Sequence, residues 1–162
     1  MVEGRDSGSR GRREAMASMR RPLDSATVIL TRESSEGQFK VFLMRRHRDQ
    51  DFMGGAFVFP GGRLDEADCD LDLVPHTRGF SAAEAKRCLQ APDLPEEKAL
   101  GLFFAALRET FEESGILLAY DASGQIIDLA EGETAGRFAG YRLQIHDHRL
   151  SLRELAERER TK

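Results

Sequence analysis

The chain has 162 residues, of which 40% are hydrophobic and 32% charged, so its composition suits one compact soluble domain with an ordinary core. A net charge of −4 gives no basis for binding nucleic acid or an anionic membrane, and no apolar run approaches the roughly 20 residues of a membrane span. Cys69 and Cys88 form no CxxC pair and have no metal-ligand spacing, which favours a reducing compartment. We therefore expect a cytoplasmic protein.

Residues 1–22 are rich in Arg, Gly and Ser and lack the apolar segment of a secretory signal. This composition predicts a disordered tail ahead of a single domain that spans residues 23–162. Because arginines outnumber acids in the tail, organellar targeting stays open.

Four short segments have the composition of β-strands. Residues 26–31 and 39–45 flank a polar turn and predict an antiparallel hairpin. Residues 56–59 form a third, aromatic strand that a Pro-Gly-Gly turn closes, and the apolar run 116–120 predicts a fourth.

The remaining pattern predicts helices. Ser81 and Glu84 form a capping box for a short helix over residues 81–90. A long helix begins near Pro95 and ends at Gly115, a residue suited to a left-handed C-terminal cap. Two further amphipathic helices are predicted over residues 133–145 and 151–160, the second with Ser151 and Glu154 as its capping box.

The long helix has two opposed faces. At about 100° per residue, Glu109, Glu112 and Glu113 fall within an arc of about 100°. The opposite side carries the bulky apolar residues of the helix, which are Leu100, Phe104, Leu107 and Phe111. The helix is therefore expected to pack on one face and to present carboxylates on the other.

The three carboxylates repel one another and lie at the end of the helix where the dipole disfavours negative charge. Arg108 can bridge to Glu112 at i+4 and so satisfies one of them. A divalent ion with a preference for oxygen ligands, Mg²⁺ or Mn²⁺, would offset the rest. A solvated acidic face is the alternative that this helix leaves open.

The Pro-Gly-Gly turn and the carboxylate end of the long helix together resemble the signature of nudix hydrolases. This signature, the nudix box, is Gly-x5-Glu-x7-Arg-Glu-U-x-Glu-Glu-x-Gly-U, in which U is a bulky aliphatic residue. Gly62 matches the first glycine. The second half is matched at the family spacing by Arg108, Glu109, Glu112, Glu113, Gly115 and Ile116. Asp68 stands at the position of the first Glu and Thr110 at that of an aliphatic residue, and 39 residues separate Asp68 from Arg108.

An interrupted box is similar to that of the CoA and acyl-CoA diphosphatases, a branch with a peroxisomal member. The CoA-cleaving group has a motif that contains Arg and ends in Gly-x3-Phe-Pro-Gly-Gly, which Arg46, Gly55 and residues 59–62 fit. His47 and Asp51 depart from this motif. The resemblance covers roughly residues 24–120.

The resemblance implies an α/β fold, a nudix α/β/α sandwich with a mixed β-sheet. Residues 69–94 would form a helical insert within the box, and residues 133–160 an extra helical segment at the C-terminal end. The family fold has further strands after the box, and proteins of the resembled branch run longer, so a truncated form is one interpretation.

The resemblance also implies the site. Glu109, Glu112 and Glu113 would hold Mg²⁺ or Mn²⁺ together with the backbone oxygen of Gly61, and Arg108 would orient the glutamates. Arg46, Gly55, Gly61 and Gly62 would contact the substrate, and Gly62, Asp68 and Gly115 would shape the box.

The implied reaction is metal-dependent cleavage of a diphosphate, with CoA or acyl-CoA giving 3′,5′-ADP and (acyl-)phosphopantetheine. Arg45, Arg46 and Arg48 are candidates to contact the 3′-phosphate, with a solvated loop as the alternative. ADP-ribose, nucleotide sugars and dinucleoside polyphosphates are rival substrates, and a nucleotide-binding nudix module without catalysis is a rival function. The expected partner is a small molecule, with a homodimer left open. The run His146-Asp147-His148 reads as a polar connection between helices and is assigned no role.

Overall fold

The computed structural model describes residues 22–49 and 54–161. Residues 1–21 of the predicted tail and Asp51 therefore lie outside the described residues. Six short strands form three two-stranded antiparallel sheets, β1 with β6, β2 with β3 and β4 with β5. The strands are Ser25–Thr27 (β1), Thr31–Glu33 (β2), Phe39–Val41 (β3), Met44–Arg45 (β4), Phe57–Val58 (β5) and Gly61–Arg63 (β6).

The predicted hairpin is present, but it is shorter than expected. Its paired strands are β2 and β3, joined by a turn in which Gly37 adopts a left-handed φ of 72°. The first part of the predicted strand 26–31 pairs with β6 instead, where Thr27 lies opposite Gly61. Within the described residues every strand pair is antiparallel, whereas the resemblance implied a mixed sheet.

The predicted strand over residues 116–120 is wrong. The chain there has no strand and forms only an isolated bridge between Tyr120 and Ile126. Gly115, with a φ of 76°, turns the chain at the end of the preceding helix, and Leu117 is then buried among helices. The apolar run therefore serves the helical core, which a strand-like composition cannot distinguish from a sheet.

The predicted helices are confirmed, with ends shifted by a few residues. They are Ala82–Cys88 (α1), Glu96–Ser114 (α2), Gly132–His146 (α3) and Leu152–Glu159 (α4). Both predicted capping boxes form, at Ser81 with Glu84 and at Ser151 with Glu154. Among the helices that the structure describes, none is long and apolar enough to cross a membrane.

Helix α2 anchors the core of the molecule. Phe111 packs with Phe138 and Ile145 of α3 and with Leu155 of α4, all of them buried. Leu100 and Phe104 form a second cluster with residues that lie between the two halves of the box. Two buried clusters thus cover the apolar face of α2, one at Leu100 and Phe104 and the other at Phe111. The opposite face of α2 carries the carboxylates.

The segment between the two halves of the box folds back onto α2. It contains two 3₁₀ helices, Glu66–Cys69 and Leu71–His76, followed by α1. Gly101 makes the close approach possible, because a Cβ atom there would lie 2.9 Å from Cys69 Sγ and 3.2 Å from the carbonyl oxygen of Asp68. This contact places Asp68 against the middle of α2.

Candidate functional site

Arg108 is the centre of the candidate site. Its Nε and Nη2 atoms donate to the two carboxylate oxygens of Asp68, both at 2.9 Å. Its Nη1 atom donates to Glu109 at 3.0 Å and to Glu112 at 2.8 Å. The Nη2 atom also donates to the carbonyl oxygen of Arg63 at 2.8 Å, so one guanidinium joins both halves of the interrupted box.

The pair of Asp68 and Arg108 is buried, with side-chain exposures of 2% and 9%. Burial opposes the charge on Arg108, but hydrogen bonds to Asp68 and Glu112 outweigh it and raise the pKa of the guanidinium. The second oxygen of Asp68 also accepts from the backbone N–H of Asp65 at 2.9 Å. A bidentate contact of this kind fixes the orientation of both side chains.

Gly62 leaves the space that the Glu109 carboxylate occupies. A Cβ atom on Gly62 would lie 2.1 Å from Glu109 Oε1 and 2.2 Å from its carboxyl carbon. Burial raises the pKa of Glu109, and the neighbouring Arg108 acts in the opposite direction. The glycine turn and the first carboxylate of α2 are therefore in direct contact.

Gly61 holds the third carboxylate. Its backbone N–H donates to Glu113 Oε2 at 2.9 Å. Hydrogen bonds between β1 and β6 join Val28 to Pro60 and Leu64 to Asp24, so Gly61 and its partner Thr27 form a non-hydrogen-bonded pair. The N–H and C=O groups of Gly61 therefore point away from β1. A side chain is excluded at Gly61, since a Cβ atom would lie 2.3 Å from the carbonyl oxygen of Ala26.

Helix α3 contacts two of the same glutamates, Glu112 and Glu113, from outside the box. Arg142 donates through Nε to the carbonyl oxygen of Glu112 at 2.7 Å and through Nη2 to that of Glu113 at 2.9 Å. One turn later, His146 Nδ1 lies 3.6 Å from Glu112 Oε2. His148 Nδ1 lies 3.9 Å from Asp65 Oδ2.

A cavity of about 240 Å³ opens beside Glu113. Its lining residues are Met44, Arg45, Arg46, His47, Val58 and Glu113. The backbone of Arg46 bonds to Ala56 at 3.0 Å and to Gly55 at 3.2 Å, which brings the predicted substrate contacts Arg46 and Gly55 together. The cavity combines basic side chains with one carboxylate of the cluster.

The carboxylates suit Mg²⁺ or Mn²⁺ in their chemistry, because both ions prefer oxygen ligands. Glu109 and Glu112 are bonded to Arg108, and Glu113 to the backbone of Gly61. Across residues 22–49 and 54–161, no group of three or more His, Cys, Asp or Glu side chains is gathered tightly enough to hold an ion. An ion would therefore have to replace part of these protein contacts.

The match to known proteins agrees with this arrangement. Residues 20–156 match the family model of the NUDT19 Nudix domain. The chain belongs to this nudix family. Family membership places it among the nudix hydrolases and confirms the prediction from the interrupted box.

Two curated relatives of this nudix chain are acyl-coenzyme A diphosphatases NUDT19. The human protein is 36% identical over 116 residues, which cover 59% of this chain and 30% of the relative. The Xenopus laevis protein is 32% identical over 107 residues, which cover 53% of this chain and 27% of the relative. The chain thus spans less than a third of the length of either relative.

A solved structure supports the fold. The crystal structure of a NUDIX hydrolase from Alicyclobacillus acidocaldarius superposes with a TM-score of 0.52 and 23% identity, over 77% of this chain and 56% of the other. The predicted α/β nudix fold is confirmed at this level.

Several contacts of the site were missed from the sequence. The carbonyl oxygen of Arg63 has no side-chain signature, and Arg142 lies outside the box on a different helix. The histidines of the 146–148 run were interpreted as a polar connection, yet they face Glu112 and Asp65. The only available signal was a helix with two arginines, Arg137 and Arg142, that ends at His146 and is followed by His148, and this pattern does not identify its partner.

Proposed function

We propose that this chain hydrolyses a diphosphate bond in a nucleoside-diphosphate-linked substrate, with CoA or acyl-CoA as the substrate class. The products would be 3′,5′-ADP and (acyl-)phosphopantetheine. The observation that carries the proposal is the bidentate contact between Asp68 and Arg108, which joins the two halves of the box across 39 intervening residues. The names of the curated relatives support the CoA-like substrate.

In this proposal Glu109, Glu112 and Glu113 hold Mg²⁺ or Mn²⁺, with the backbone oxygen of Gly61 as a further ligand. A bound divalent ion would neutralise charge on the diphosphate and lower the pKa of a water molecule. Arg108 positions Glu109 and Glu112 through one shared nitrogen, and Asp68 fixes Arg108. Positioning and charge neutralisation make up most of what a protein supplies to phosphoryl transfer.

The basic cavity beside Glu113 is the proposed place of the phosphorylated adenosine. Arg45 and Arg46 would pair with phosphate oxygens, for which a guanidinium has a suitable fork of donors. Gly55 would allow the backbone to approach the substrate closely, whereas the space beside Gly62 is filled by the Glu109 carboxylate. The adenosine of CoA carries a 3′-phosphate that ADP-ribose lacks, so a basic cavity favours CoA.

The test is incubation of the chain with Mg²⁺ or Mn²⁺ and a panel of CoA, acyl-CoA, ADP-ribose and NADH, with products read by mass. We expect 3′,5′-ADP from CoA and acyl-CoA, and a rate lower by orders of magnitude for Glu113→Gln. Glu157→Gln on the exposed side of α4 is the matched control and should cleave at the wild-type rate. Cleavage of ADP-ribose alone would reassign the substrate, and no cleavage at high enzyme concentration would favour a nucleotide-binding module.

A further inference from the structure

Arg142 completes the hydrogen bonding at the end of α2, where the helix cannot do so itself. The last carbonyl groups of any helix lack intrahelical partners. Here the N–H group of Gly115 donates to the carbonyl oxygen of Phe111 at 2.9 Å, and Ser114 Oγ donates to the carbonyl oxygen of Thr110 at 2.6 Å. The carbonyl oxygens of Glu112 and Glu113 instead accept from Arg142, at 2.7 and 2.9 Å.

The position of Arg142 is fixed by the core. It lies on α3 between Phe138 and Ile145, at i+4 from the first and i−3 from the second, and both of these residues are buried against Phe111. The same side of α3 therefore packs on α2 and delivers the guanidinium to its end. Gly115 leaves room for this contact, since a Cβ atom there would lie 3.3 Å from Arg142 Nη1.

The positive charge of Arg142 is also favourable at the C-terminal end of α2. The C-terminal end of a helix is negative, and α2 has no basic side chain in its last turn. Three glutamates add further negative charge there. A cation that donates to the carbonyls of Glu112 and Glu113 opposes this repulsion and holds the backbone from which both side chains project.

We propose that Arg142 is a positioning residue for the carboxylate face, and that α3 thereby acts as a part of the nudix site that lies outside the box. The inference rests on the proposed metal-binding function of Glu112 and Glu113. Arg142 does not touch the substrate in this account. It fixes the last turn of α2 so that both carboxylates are held in place for an ion.

The test compares Arg142→Gln and Arg142→Lys with Arg137→Gln. Arg137 lies on the same helix and also makes two bonds, but to Glu159 of α4 and away from the box. Three quantities are measured: the Mn²⁺ dissociation constant, kcat and KM with CoA, and amide hydrogen exchange over residues 112–116 without metal.

We expect Arg142→Gln to weaken Mn²⁺ binding by about 10-fold or more, as for other residues that support metal ligands. It should lower kcat with little change in KM and speed exchange over residues 112–116. Arg142→Lys should recover part of the Mn²⁺ affinity, because an ammonium group can still donate to a carbonyl. Arg137→Gln should leave all three quantities at wild-type values.

Equal Mn²⁺ affinity and equal local exchange in Arg142→Gln and Arg137→Gln would overturn the inference. If the wild-type chain neither binds Mn²⁺ nor cleaves CoA, the proposed function fails by itself. The exchange measurement then decides on Arg142, because a helix end that stays protected in Arg142→Gln shows that Arg142 does not position it.

Discussion

Two arginines of this protein each donate two hydrogen bonds to one carboxylate, but one pair is buried and the other is exposed. Arg108 on α2 donates two hydrogen bonds of 2.9 Å to Asp68, and Arg137 on α3 donates hydrogen bonds of 2.7 and 3.0 Å to Glu159. The first pair is 9% and 2% exposed, whereas the second is 45% and 16% exposed. The two contacts have similar bond geometry and differ in burial. The buried one holds the site together, and the other joins α3 and α4 near the surface.

The Arg108 contact is also part of a network, and the Arg137 contact is nearly isolated. Arg108 bonds in addition to Glu109, Glu112 and the backbone of Arg63, and these partners come from both halves of the box. Glu159 has one further partner, the hydroxyl group of Tyr141 at 2.9 Å. Loss of Asp68 should therefore affect the whole site, and loss of Glu159 should stay local.

Replacement of Asp68 should have the largest effect on stability. Asp68→Ala leaves the charge of Arg108 buried with fewer partners and should lower the free energy of unfolding by about 3–5 kcal/mol. Urea denaturation measures it. Asp65→Ala is the control, because Asp65 Oδ2 lies 3.6 Å from Arg108 and is 40% exposed, and it should cost below about 1 kcal/mol. Equal losses for the two variants would show that burial does not distinguish them.

An added methyl group at Gly62 should have an intermediate effect. Gly62→Ala forces the Glu109 carboxylate away from β6. It should cost about 1 kcal/mol, the low end of the range for overpacking, because the displaced atoms are the far end of a flexible side chain. Gly136→Ala in α3 is the control, because a Cβ atom there meets nothing within 4 Å. That variant should raise the free energy of unfolding by about 0.5–1 kcal/mol, since alanine favours a helix. Similar changes in both variants would argue against the close contact at Gly62.

Replacement of Glu159 should have the smallest effect. Glu159→Gln should lower the free energy of unfolding by below about 1 kcal/mol at neutral pH, as expected of an ion pair near the surface. The hydrogen bond from Arg137 lowers the pKa of Glu159. Its contribution is therefore present above the ordinary pKa of about 4.3 and disappears as the pH falls through the lower folded value.

Urea denaturation of wild-type protein and Glu159→Gln across this acidic range checks the sign. The difference between the two proteins should shrink as the pH falls. A difference that grows towards acid, or a loss as large as that of Asp68→Ala, would contradict the contrast between the two arginine pairs.

The sequence allowed the helices to be predicted because each one carries its own local signals. Capping boxes at Ser81 and Ser151 and the glycine at position 115 mark helix ends, and the period of α2 separates its two faces. The strands were harder to predict, because pairing depends on partners distant in the chain. The approach of β1 to β6 depends on the bare backbone of Gly61, which no hydrophobic pattern records.

The residues of the candidate site also divide into those with a local signal in the sequence and those that depend on distant partners. The carboxylates and Arg108 followed from spacing on one helix, and Asp68 from the family resemblance. Its contact with Arg108 spans 40 positions in the chain and needs the 3₁₀ helix packed on Gly101. Arg142 could not be predicted, because its partners are main-chain carbonyl oxygens, which every residue possesses.

The binding of Mn²⁺ to the metal-free chain tests the central claim most directly, that closing the interrupted box produces a divalent-ion site. We expect saturable binding to the wild-type protein and a loss of affinity of at least about 10-fold in Glu112→Gln and in Glu113→Gln, with Glu157→Gln unchanged. Binding that is as tight in both box variants as in the wild-type protein would contradict the account.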